Sequence, residues 1–442
     1  MVNNYRIFYL IFIFDLISYK TTFSQEDWHG EIINQNGILH IVNAEEPIYK
    51  LPNIFIEKVW ETGGEDPGFI FNNITAIDID KKGRVYVADV LEKNIKVFSP
   101  SGEYLFTFGR QGQGPGEYQI PKCLTLLPNQ QILVIDVGGG LFARFKFFDC
   151  EGNYINEFMV ELKNSINLKD DENSRAYLLS LGMISFSKLF SENRLLLIKD
   201  SIEEMKYQVH SLWIFVLDKR QGIKIIENKK IDPQFTNQLN QSDRDFLDTQ
   251  WCHDNKGNIY FIKDIFDYTI DVYDKQGNLK KVIKRVFNFP LKTKDEYEKD
   301  RERMNKYVEQ QKGYGITVKW EELKYRSIIF NPFHITRSMF CDDQNRLWIL
   351  TNESFSPHES KGLFSWFSDK KSQHLEEKGT RFTFDVFDEE GKFLMKIPFD
   401  AEQPRCFVYK NGSLYFAALK EDGFPWLFKY RIIETKQEEL NQ

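Results

Sequence analysis

Polar residues able to do chemistry recur at the ends of short apolar runs. Asp89 closes VYVAD and Asp136 closes ILVID, while Lys199-Asp200, Lys263-Asp264, Thr351-Asn352 and Lys420-Glu421-Asp422 follow comparable runs. Asn94, Arg144 and Asp267 fall in the same connections. Carboxylate and amide oxygens converging from several runs are ligands for a hard cation, so calcium is compatible with them, although no motif specifies a metal. The same groups would serve as a polar ring around a ligand. They would equally serve as caps that accept hydrogen bonds from loop amides. The candidate ligand-binding set is therefore Asp89, Asn94, Asp136, Arg144, Asp264 and Asp267, with no residue assigned to catalysis.

Other chemistries find little support. The histidines are His29, His40, His210, His253, His334, His358 and His374, and none has HExxH or other ligand spacing. His253, just ahead of Asp254, reads as structural. No GxSxG marks a nucleophile. The glycine-rich GQGPG from Gly112 to Gly116 leads into a strand, whereas a phosphate cradle needs a helix N-terminus. Cys123, Cys150, Cys252, Cys341 and Cys406 are scattered without a CxxC pair, and their odd number argues against a full disulfide framework; they read as small buried hydrophobes. A net charge of −7 without a basic stripe excludes a nucleic-acid partner. No cofactor is implied.

The elements that position these residues form a repeat. From Ile74 to Tyr118 the chain shows four short β-type runs separated by turn residues. The first turn, Asp80-Lys81-Lys82-Gly83, recurs as Asp254-Asn255-Lys256-Gly257 and Asp342-Asp343-Gln344-Asn345, with weaker copies ending at Asn193 and Asn411-Gly412. Gly or Asn is expected there because a tight hairpin needs positive φ. Gln130 stands at that place in the second copy, which predicts a different turn. The later turn recurs as Ser99-Pro100-Ser101-Gly102, Asp149-Cys150-Glu151-Gly152, Asp274-Lys275-Gln276-Gly277 and Asp388-Glu389-Glu390-Gly391, with a longer form from Asp218 to Gly222. Each follows a run such as IKVF, FKFF, IDVY or FDVF. This is the pattern of a four-stranded blade. Blades are expected near 74–110, 123–160, 184–231, 250–287 and 338–399, and a sixth starting at Cys406 ends one strand short. The stretch from Ile54 to Phe69 parallels that from Tyr104 to Tyr118, so Ile54 to Trp60 is expected to supply the missing strand. The fold class is thus all-β, a six-bladed β-propeller with its N-terminal strand completing the last blade. A composition 15% aromatic suits sheets stacked on large rings.

VYVAD, IKVF, Gly102 and GQGPGEY resemble NHL repeats, and the ring resembles exported bacterial six-bladed propellers, over about 51–433. The resemblance implies a toroid with a central channel that binds through one face, often without catalysis. Metal-dependent lactonases and esterases are also six-bladed and place carboxylates and Asn around a channel ion; no residue set here reproduces their pattern.

Residues 1–24 read as a secretory signal peptide, with Arg6 ahead of an apolar run from Ile7 to Ile17. Residues 25–50 read as a leader, 51–435 as the propeller and 436–442 as a tail. No integral membrane span is expected after cleavage. The largest insertion, 290–336, lies between blades four and five and is expected to carry a helix over 294–311. Together these features predict an exported, non-enzymatic binding propeller for a protein or carbohydrate partner. The competing expectation is a metal-assisted hydrolase or lyase.

Overall fold

The second run of each repeat is apolar at nearly every position because both of its faces are covered. Val85 and Val87 face one neighbouring sheet, and Tyr86 and Ala88 face the other. Ile132 and Val134 alternate in the same way with Leu133 and Ile135. A strand buried on both faces has no polar side to show, so it reads as a continuous hydrophobic stretch. The outer strand Tyr104–Phe108, with Leu105 exposed, alternates instead.

The computed structural model describes residues 28–50, 52–64, 68–138, 142–161, 183–203, 207–231, 238–239, 250–262, 268–287, 298, 302, 317–318, 339–351, 382–402, 404–420 and 423–435. Six antiparallel blades emerge. Blade one has strands Ile74–Ile79, Val85–Asp89, Asn94–Phe98 and Tyr104–Phe108. Blade two has Pro121–Leu126, Ile132–Asp136, Phe142–Phe148 and Tyr154–Glu161. Blade three has Met183–Ser191, Arg194–Glu203, Tyr207–Val216 and Gln221–Ile231. Blade four has Gln250–His253, Ile259–Ile262, Thr269–Tyr273 and Leu279–Arg285. Blade five has Met339–Cys341, Leu347–Thr351, Phe382–Phe387 and Phe393–Phe399. Blade six has Pro404–Lys410, Ser413–Leu419 and Pro425–Glu434, and its fourth strand is Ile54–Gly63, registered with Ile54 opposite Glu434 and Gly63 opposite Trp426. First strands touch between blades one and two, two and three, four and five, five and six, and six and one. Six apolar clusters fill the gaps between successive blades, including the gap between blades six and one.

The turns after the first strands share one device. Asp80, Asp254 and Asp342 are buried, and each carboxylate accepts the amides two and four residues on. The side chain four residues on, Arg84, Asn258 or Arg346, also donates to it. So does a buried ring six residues on: Tyr86 at 3.3 Å, Tyr260 at 3.3 Å and Trp348 at 2.9 Å. One Asp thereby fixes the turn and aims the large side chain of the next strand into the gap between blades. The Gln130 turn does not differ as expected. Gln130 takes φ 68° with its amide on Leu127 O at 3.0 Å, the same left-handed site that Gly83 fills at φ 81°.

Two expectations need revision. The leader contains a hairpin, Glu31–Gln35 and Ile38–Asn43, turned by Asn36 at φ 54° and Gly37 at φ 84°. Its second strand runs parallel to Leu279–Arg285 and extends blade four to six strands. Asn43 uses its whole amide at the join: it donates to Lys284 O and Gly391 O and accepts from Trp28 Nε1 and the Phe393 amide. The chain then passes blade five, where the Ile48 and Tyr49 amides bond Phe393 O and Leu394 O. The Asn-Gly pair between alternating apolar residues was the available cue. The helical insertion is not supported: of 294–311 only Glu298 and Glu302 are described, and two isolated helical residues do not establish a helix over that stretch. The rest of that stretch, like 1–24, lies outside the described residues.

Replacing Asp342 with Ala strips the Trp348 indole, Arg346 and two amides of their common acceptor, and should cost about 2–4 kcal/mol in urea unfolding. An unchanged midpoint would refute the role given to this turn. Gln130→Gly relieves a left-handed side-chain-bearing residue and should raise stability by about 1 kcal/mol in the same measurement.

Candidate functional site

In blades one and two the turn after the second strand meets the link that enters the blade, and two of the expected carboxylates join them. Asp89, fully buried, accepts the Asn72 and Asn73 amides at 2.7 and 3.1 Å and the Leu91 and Glu92 amides at 3.2 and 3.1 Å. Asp136, also buried, accepts the Gln119, Ile120 and Gly138 amides, the Ile120 bond being 2.7 Å. Each carboxylate therefore ties the link entering its blade to the turn leaving its second strand. Their oxygens are spent on backbone donors, which is the capping role. The corresponding places in blades five and six are Thr351, bonded to Thr383 O, and Ala418, so a carboxylate ring does not run through them.

The other candidates separate. Asn94 stands opposite Asp89 and accepts from Lys96 Nζ at 2.9 Å. Arg144 stands opposite Asp136, and its Nη1, closed off from solvent, has no hydrogen-bond partner among the described residues. Tyr118, directly before Gln119, likewise has a buried hydroxyl without a partner among them. Burial, and then the charge of Asp136, push that phenol well above its ordinary range. Asp264 and Asp267 lie outside the described residues, as do Asn352, Glu421 and Asp422. Lys420 is turned to Glu61 in the N-terminal strand of blade six.

Around Arg144 the surface is apolar. Met159 is its partner on the fourth strand and is 60% exposed, and Phe142 is 38% exposed. At the same end of blade one, Ile70 and Leu91 are 49% and 60% exposed. A guanidinium with a free donor inside an apolar rim suits a ligand that pairs an anionic oxygen with hydrophobic contact.

A second tier escaped the sequence reading although its signal was present. IKVF, FKFF, IDVY and FDVF each carry one charge in an apolar run: Lys96, Lys146, Asp271 and Asp385, all buried. By strand pairing they occupy equivalent places on the third strands. Lys96 lies 3.5 Å from Asp89, and burial lowers its pKa despite that carboxylate. Lys146 bonds Glu157 at 2.8 Å, and Asp271 accepts from the Tyr273 hydroxyl at 3.1 Å. Asp385 is paired with Arg285 of blade four and accepts from the Tyr268 hydroxyl. Such charges are tolerated away from water because each is matched. The glycine-rich loop is a link between blades: Glu117 accepts the Gly114 amide at 2.9 Å and pairs with Arg110.

Residues 68–211 match a family model described as a 6-bladed beta-propeller. The chain is a six-bladed β-propeller. Among curated proteins the propeller matches peptidyl-glycine alpha-amidating monooxygenase A of Xenopus laevis, 27% identical over 143 residues, 29% of this chain. The match spans 15% of that enzyme's length. Among solved structures, a protein of Bacteroides fragilis described as exported is 12% identical, with 90% of this chain and 100% of that chain covered and a TM-score of 0.45. Virginiamycin B lyase of Staphylococcus aureus, in a catalytically inactive form with quinupristin, is 12% identical over 83% and 84% of the two chains with a TM-score of 0.39. Regucalcin of Agrobacterium tumefaciens, a calcium-binding protein, is 10% identical over 88% and 96% with a TM-score of 0.40. At these identities no activity transfers to the propeller. No helix among the described residues is long and apolar enough to cross a membrane.

Asp89→Ala leaves four loop amides without their acceptor and Lys96 without its counter-charge. The expected result is a loss of about 2–4 kcal/mol in chemical denaturation. A variant as stable as the parent would mean that Asp89 is not a cap.

Proposed function

We propose that this propeller is an exported, non-catalytic binding protein that holds a carboxylate-bearing protein or carbohydrate partner at the loop end of blades one and two. The observation that carries the reading is Arg144, whose Nη1 is buried and unmatched among the described residues, beside exposed Phe142 and Met159. An unmet charged donor is costly, and a site that keeps one is best explained by an acceptor that arrives with the ligand. The apolar run from Ile7 to Ile17 supports export.

The metal-assisted hydrolase is disfavoured on specific grounds. Its ligands would have been Asp89 and Asp136, and both are committed to backbone amides. A cation there would have to displace those hydrogen bonds and release the links between blades.

Calorimetric titration with acidic peptides and uronic-acid oligosaccharides tests the proposal. Binding to the parent protein should weaken about 10–100-fold in Arg144→Gln, the loss expected for one charge-assisted hydrogen bond. Equal affinity in the two proteins would remove Arg144 from the site. Calcium or zinc titration should leave the melting temperature unchanged; a large rise that disappears on replacing Asp89 and Asp136 would favour the hydrolase.

A further inference from the structure

The cysteines divide by the gaps they occupy. Cys123 lies between blades two and three, and Cys406 between blades six and one. Cys150 sits in a turn and donates to Gln130 O at 2.8 Å. Cys252 and Cys341, in contrast, share the gap between blades four and five, with their sulfurs 3.6 Å apart. They lie on the contacting first strands Gln250–His253 and Met339–Cys341. A disulfide needs about 2.05 Å between sulfurs, a closure of the order available to side-chain rotation with a small strand adjustment.

The surroundings hold the two strands in register. The Asn255 amide donates to the Asn345 side chain at 3.1 Å, and Lys256 forms an ion pair with Glu389, so both joins cross from blade four to blade five just beyond the cysteines. Cys252 is 1% exposed, while Cys341 is half-buried and is the more accessible residue of the two. We propose that Cys252 and Cys341 form a disulfide that fastens blade four to blade five. The Cys341 thiolate attacks a disulfide oxidant, either a small-molecule disulfide or a dithiol oxidase, and expels one thiol. The Cys252 sulfur then displaces the second. The two cysteines lose two protons and two electrons, and the oxidant's disulfide is reduced to two thiols.

The bond spans 89 residues of sequence, a stretch that includes the insertion at 290–336. Closing so long a loop in the unfolded chain is where a crosslink has its largest entropic effect. One pair with three single thiols also accounts for an odd cysteine number in an exported protein. Formation in the cell rests on the export reading; formation in vitro does not.

The test uses the full chain, incubated with oxidised glutathione or with a reductant and digested without reduction. Mass spectrometry should find one peptide joining the segments that hold Cys252 and Cys341, and free thiols counted in denaturant should fall from five to three. The melting temperature should rise by about 5 °C on oxidation, and the rise should vanish in Cys252→Ser and in Cys341→Ser. Five free thiols after oxidation, or a link through another cysteine, would overturn the proposal. The peptide assignment uses the unaltered protein, so it stands even where a variant folds poorly. If the bond forms in vitro while protein trapped with a thiol blocker from its native fraction is fully reduced, export fails and the pair survives.

Discussion

The structure depends on the apolar layer between one blade and the next. No blade has a core of its own; each sheet is covered on both faces by its neighbours, and the six clusters together form a closed circuit. Stability in such a ring is shared between adjacent blades, as in other repeat folds, but here without terminal repeats facing water. This is why the large rings of Tyr86, Tyr260 and Trp348 are fixed by hydrogen bonds to a turn carboxylate: a ring of that size in the wrong rotamer would force neighbouring sheets apart. The turn and the core are one device.

The same economy governs the loop end. Asp89 and Asp136 are the groups most suggestive of chemistry in the sequence, yet their surroundings are those of structural anions, with amides converging on each. The contrast with Arg144 is instructive because Asp136 and Arg144 face one another across a strand pair. Asp136 has spent its acceptors on the backbone, and the guanidinium opposite keeps a donor unspent among the described residues. Of the two, it is the guanidinium, not the carboxylate, that keeps hydrogen-bonding capacity among the described residues.

The blade plan was legible because a repeat multiplies weak local signals. Asp80, Asp254 and Asp342 carry the same offsets to a turn residue and to a ring, and the coincidence speaks where one copy would not. Gln130 misled because side-chain preference for positive φ is only a tendency; the hydrogen bonds of the turn impose the conformation regardless. The hairpin at Glu31–Asn43 went unread since it belongs to no repeat, although Asn36-Gly37 announced it. For the site, residue type placed Asp89, Asn94, Asp136 and Arg144 at one end of the ring but was silent on which had partners. Hydrogen-bond saturation arises from links such as Asn72 and Gln119, whose approach is a matter of three dimensions. Lys96, Lys146, Asp271 and Asp385 were visible as lone charges in apolar runs, and became meaningful only once both faces of those strands were known to be buried.

The N-terminal stretch has a further consequence. It starts beside the edge of blade four, crosses blade five through Ile48 and Tyr49, and ends as the outer strand of blade six. It is a belt fastened at three successive points on the half of the ring synthesised last. While the chain grows, Glu31–Asn43 and Ile54–Gly63 have nothing to buckle to until the sheets encoded hundreds of residues later have formed. The early segments must wait, with Ile41 and Ile54 uncovered until their sheets arrive, and the final event of assembly joins nearly the whole length of the polypeptide in one step.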